Sequence, residues 1–148
     1  MTMFSSMNVS GSGLTLQRLR MDVAASNIAN SDTTRAELVN GEWQPYQRRM
    51  VVQGPTSMGR FSTELQKATA ELDQGVVAKQ IVRDPTPATL VYDPTHPDAN
   101  EDGYVAKPNV EIAREMVDIT SATRSYEANV TALQASKGMV MKALEIGR

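Results

Sequence analysis

Apolar residues recurring every seven positions at both ends of the chain restrict its fold more than any other feature. In the C-terminal stretch Ile112, Met116, Ile119, Thr123, Tyr126, Val130, Leu133, Lys137, Val140 and Leu144 alternate in steps of four and three. That is the spacing of one face of a long helix, broken only at Thr123 and Lys137, and it makes a seam for a second helix. Ala128, Ala132, Ala135, Met139 and Ala143 form another stripe, whose small side chains let a helix approach closely. Near the N-terminus Met7, Leu14, Met21 and Ile28 form one line. Val9, Leu16 and Val23 form a second, roughly 200° away round the helix. The spacing predicts helices over Phe4 to Asn30 and Asn109 to Ile146, roughly 40 and 55 Å long. A helix apolar on two sides needs partners on both.

The middle of the chain has another character. Short β-branched runs punctuated by Pro, Gly, Asp and Asn predict strands at Tyr46 to Gln53, Val76 to Arg83 and Thr89 to Tyr92. Phe61, Leu65, Ala68 and Leu72 share one face of a possible short helix. The expected fold is therefore mainly α with a small β-rich insert (α+β), the terminal helices pairing as a coiled-coil-like hairpin. Its parts are an N-terminal helix over 1–35, the insert over 36–107 and a C-terminal helix over 108–148.

The residues that carry chemistry are sparse. The net charge of -2 advertises no nucleic-acid partner. With no cysteine and a single histidine, disulfides, thiolate metal sites and cysteine nucleophiles are excluded, and an acyl-transfer triad would have to run through His96. Asp98, Asn100, Asp102 and Gly103 copy the first half of a calcium-binding loop. The pattern then requires a glutamate where Asn109 stands and a preceding helix where Pro94 and Pro97 stand. A Pro/Asp turn is the plainer reading, for His96 as well. "GSG" at 11–13 lacks the lysine of a phosphate loop, and Glu111 and Glu115, one turn apart, read as solvated helix residues. No enzyme, cofactor or metal is expected. No apolar run approaches the ~18 residues of a membrane span, and "MTMFSSMNVSGSG" has neither the basic nor the apolar region of a cleaved leader.

Three blocks carry a family resemblance: "SGLTLQRLRMDVAASNIANSDTTR", "LVYDPTHPDANEDGYVAKPNV" and "EMVDITSATRSYEANVTALQASKGMVMKALEIGR". The first resembles the signature of bacterial flagellar rod, hook and hook-associated axial proteins, and the second, with its proline-aspartate loop, is similar to that of the proximal rod. The resemblance implies a structural, self-assembling subunit of the basal-body rod that transmits torque and continues the export channel. It implies export through the flagellar type III apparatus without a cleaved signal peptide. The implied partners are copies of itself and rod proteins of the FlgB, FlgF and FlgG type, with no nucleic acid and no direct membrane insertion. On this reading the assembly interface comprises Leu14, Leu16, Met21, Val23, Asn27, Ile28 and Asn30 with Ile119, Tyr126, Val130, Leu133, Val140 and Leu144. Asn30, at ease in a left-handed conformation, ends the first helix, and Ser31 to Thr34 hydrogen-bond locally. The Asn27 amide either bridges to a neighbouring subunit or is solvated. The other class open to such helices is a cytoplasmic adaptor that grips a partner.

Overall fold

The two heptad stretches form helices α1, Met3–Ala29, and α2, Ile112–Ile146, in the computed structural model, which describes residues 3–39, 41–56 and 75–147. The apolar face read over Phe61 to Leu72 lies outside the described residues. Among them, no helix is long and apolar enough to cross a membrane.

The polar bracket after α1 closes the helix. The Asn30 N–H and side-chain amide both donate to the Ser26 carbonyl, at 3.2 and 2.9 Å, and the Thr33 hydroxyl donates to Asn30 Oδ1 at 3.3 Å. These bonds satisfy carbonyls and amides that a helix end leaves open. Thr34 and Asp32 reach further, to Asp98 and Lys107.

The helices lie against each other antiparallel: the Ser6 hydroxyl donates to that of Ser136 at 3.4 Å, and Asn27 meets Glu115 at 3.0 Å at the opposite end. The contact is small and polar at its centre. Ser10, Gly13, Ala24 and Asn27 of α1 and Glu115, Ala122 and Ser136 of α2 are buried there. Gly13 is explained by this packing, since a Cβ at that position would stand 3.0 Å from the Asn129 amide. The small-residue line facing α1 is thus that of Ala122 and Ser136. The alanine stripe at 128, 132, 135 and 143, expected to admit a helix, faces outward.

The two apolar lines of α1 also differ from expectation. They flank one continuous buried band, with α2 on one side and the hairpin of strands β3 (Arg49–Pro55) and β4 (Val76–Arg83) on the other. Leu16, only 3 % exposed, belongs to the subunit's own core. Both partners that the helix needed are largely supplied from within the chain.

Between the helices lie three separate antiparallel pairs. They are β1 (Glu37–Val39) with β2 (Glu42–Gln44), β3 (Arg49–Pro55) with β4 (Val76–Arg83), and β5 (Thr89–Tyr92) with β6 (Tyr104–Lys107). β4 and β5 match the predicted spans. β3 begins three residues later than predicted, because Tyr46 and Arg48 are taken up by other partners: the Tyr46 N–H donates to the Thr33 carbonyl, and Arg48 binds carboxylates. β1, β2 and β6 were not foreseen.

In the last pair Val105, 1 % exposed, faces the core, whereas Tyr92 and Tyr104 pack edge to face outside with ring centres 5.3 Å apart. Gly103 turns the chain into β6 with φ of +80°, and a Cβ there would stand 3.0 Å from the Tyr92 ring. Gly103→Ala should therefore destabilise this hairpin by more than ~1 kcal/mol, read as faster amide exchange at Tyr104 and Val105.

Candidate assembly surface

The structure ties its parts together at one buried polar cluster. Asn27 near the end of α1, 1 % exposed, uses all four hydrogen-bonding positions of its amide. Its Nδ2 donates to the Arg49 carbonyl at 2.9 Å and to Glu115 Oε2 at 3.0 Å. Its Oδ1 accepts from the Arg49 N–H at 2.9 Å and from the Tyr46 hydroxyl at 3.0 Å. Toward Arg49 the side chain thus acts as a neighbouring strand would, exchanging one donor and one acceptor with a single backbone residue. Both expectations for Asn27, a bridge between subunits or a solvated amide, give way to this internal role.

Glu115 completes the cluster from the first turn of α2, where a carboxylate also suits the helix dipole. It is 2 % exposed, not solvated as its spacing suggested. Arg48 Nε donates to its Oε1 at 2.6 Å, and the same guanidinium lies 3.5 Å from Asp84 and 3.7 Å from Asp118. Burial of Arg48 works against its charge, but the hydrogen bond and charge of Glu115, aided by Asp84, outweigh this and raise its pKa. Helix α1, the start of β3 and the start of α2 meet here. The cluster fixes how the insert sits on the helices.

A second lock holds the proline-aspartate loop. Asp98 accepts from the Thr34 hydroxyl at 2.6 Å and pairs with Arg35, and Asn100 Oδ1 accepts from the Tyr104 N–H at 2.8 Å. Asp98 and Asn100, two of the side chains that resembled calcium ligands, thus have partners within the chain, and the His96 ring accepts from the Asp98 N–H at 3.1 Å. The Thr34 hydrogen bond, with Arg35 behind it, holds the Asp98 carboxyl below the usual range against the opposing effect of burial. A carboxyl so lowered stabilises the fold above its unfolded pKa, about 3.9, and that contribution disappears as pH falls through the lower folded value. Amide protection across residues 96–103, taken relative to the intrinsic exchange rate at each pH, should fall below about pH 4, and Asp98→Asn should remove that acid dependence.

The other residues assigned to assembly divide by exposure. Leu14, Met21, Val23 and Ile28 are partly buried, Met21 accepting a hydrogen bond from Thr123 at 3.4 Å and Leu14 lying beside Tyr126. Ile119, Tyr126, Leu133 and Val140 run along the α1 side of α2, partly buried, as is Val130. Leu144 is 65 % exposed, beyond the reach of α1. Exposed with it are Met116, Val117, Met139, Met141 and Ile146 of α2, Leu90 and Tyr92 of β5, and the cross-strand pair Leu38 and Trp43. Large apolar and aromatic side chains bared on a long helix and two hairpins are the material of a protein–protein interface.

Known proteins resemble this chain in sequence over its whole length. The family described as flagella basal body rod protein matches residues 7–36, and the C-terminal region described as flagellar basal body rod FlgEFG protein matches residues 101–146. The flagellar basal-body rod protein FlgC of Bacillus subtilis is 55 % identical, over all of both chains. That of Borreliella burgdorferi is 42 % identical over 99 % of this chain and 98 % of its own. That of Salmonella typhimurium is 34 % identical over all of both.

Proposed function

The chain belongs to the flagellar basal-body rod proteins of the FlgC type, and from that premise we propose how it serves the rod. It is a structural subunit. Its terminal helices form the axial part, pairing in the manner of a coiled coil, and the insert over 36–107 sits between them. Neighbours are copies of itself and rod proteins of the FlgB, FlgF and FlgG type, which cover the apolar side chains bared on α2. The subunit reaches the rod through the flagellar type III export apparatus without loss of a leader, then transmits torque and continues the export channel.

The observation that carries this reading is the apolar surface bare at both ends of α2 in a single subunit, at Met116 and Val117 near its start and at Met139, Met141, Leu144 and Ile146 near its end. A soluble protein that acted alone would rarely leave such a surface open. In cells with an intact flagellar export gate, the protein should be recovered from isolated basal bodies at its full translated mass. Without the gate it should remain in the cytoplasm. A chain that stays cytoplasmic in both strains would point to the adaptor reading.

A further inference from the structure

Several charged side chains in and around the insert find partners within the chain: Arg35 pairs with Asp98, Arg83 with Glu37, Lys107 with Asp32, and Arg48 with Glu115, Asp84 and Asp118. Among the charged side chains outside these pairs, two groups of opposite sign draw attention. The first lines a cleft of about 250 Å³ between α1, the start of β3 and the first turn of α2. Arg20, Arg49 and Arg114 border it beside Arg48, which is already paired with Glu115 and Asp118, the two acidic residues of the lining. Arg20 reaches only Gln17, at 3.3 Å, and Arg49 lies 5.6 Å from the centre of the Tyr46 ring. The Arg114 side chain has no ion-pair partner among the described residues. The second group is Glu101 and Asp102, adjacent and exposed in the loop between β5 and β6, also without an ion pair among the described residues.

We propose that this cleft is a socket for carboxylates, filled in the rod by the Glu101–Asp102 tip of a second copy of the chain. The proposal rests on the rod-subunit reading. Guanidinium groups held apart by two helices and a strand offer paired donors to a carboxylate, and the tip carries two carboxylates on adjacent residues. Socket and tip come from different parts of one chain, so each copy presents both. Such a contact is heterologous and does not close on itself, which is what a growing tubular assembly requires.

The absence of native cysteine makes the test direct. Chains carrying Arg114→Cys and chains carrying Asp102→Cys are produced together in a strain lacking the native protein, and basal bodies are isolated after mild oxidation. Arg20 and Glu101 remain to hold the contact. A reducible species of twice the chain mass is expected, and it should vanish when Glu127→Cys, on another face of α2, replaces Arg114→Cys. Separately, Arg114→Glu should be lost from basal bodies, and Asp102→Arg in the same chain should restore it. Both cysteine variants present in basal bodies without the linked pair would overturn the proposal. So would a disulfide-free swap that fails to restore incorporation, or capture of a chain of different mass, which would put another rod subunit in the cleft. If the unaltered chain were itself missing from basal bodies, the rod reading would fail, whatever the cleft does.

Discussion

Asn27→Asp is expected to destabilise the subunit by about 3–5 kcal/mol at neutral pH, although it changes one atom and no volume. The carboxylate has no donors. The Arg49 carbonyl loses its partner, and a second negative charge is placed where Nδ2 now stands 3.0 Å from Glu115 Oε2. Each buried group left unpaired costs about 1–3 kcal/mol, and the repulsion between carboxylates adds to this. Asn27→Ala removes all four bonds, including the two that an aspartate oxygen would still accept, but it adds no charge, so it should cost less than Asn27→Asp. The difference between the two should narrow at acid pH, because a protonated aspartate donates one hydrogen bond and repels nothing. Urea titrations of the three proteins at pH 7 and pH 5 measure this order. Amide exchange at Arg49 should rise first in Asn27→Ala, since its N–H donates to Asn27 Oδ1, an acceptor that Asn27→Asp keeps. Equal stability of Asn27→Asp and the parent would mean that the cluster does not hold α1, β3 and α2 together.

How much of this was legible in the sequence follows from the range of each interaction. The helices were readable because a seven-residue repeat is a local pattern, and their observed ends lie within three residues of the predicted ones. β4 and β5 were readable from β-branched runs. β1 and β2 carry only one local mark, the Asn-Gly hairpin signal that stands between Val39 and Glu42 in the sequence. Those strands are only three residues long and largely exposed, so no alternation of burial marks them.

The polar cluster was not legible. Asn27, Tyr46, Arg48 and Glu115 come from positions up to 88 apart, and nothing in the spacing of one predicts another. Glu115 was misleading for a specific reason: a glutamate on a heptad helix is usually solvated, and only Arg48 and Asn27 together make its burial tolerable. The apolar lines were correctly located, but their distribution between core and surface depended on where α1 ends. Leu16 and Leu144 have the same chemistry, yet one is 3 % and the other 65 % exposed.

That distinction decides where assembly should be probed. Leu133 lies on the α1 side of the seam and is partly buried already, so Leu133→Asp would damage the subunit itself and confuse folding with assembly. Met116 and Leu144 are 58 % and 65 % exposed, and exposed substitutions of this kind usually change stability by less than about 0.5 kcal/mol. If neighbours in the rod cover Leu144, it contributes about 1.5–3 kcal/mol of apolar burial there. An aspartate at the same position would bring a desolvated, unpaired carboxylate, costing several kcal/mol more at every copy. Met116→Asp should act in the same way, and Leu144→Met, which keeps volume and apolarity, should be nearly silent.

The most direct measurement is therefore the amount of Leu144→Asp protein in basal bodies isolated from a strain that lacks the native chain, scored together with swimming. The expected result is a variant that melts like the parent, is exported like the parent, and is absent from basal bodies of cells that do not swim. Normal swimming with Leu144→Asp present in the rod would contradict the claim that assembly buries this face of α2.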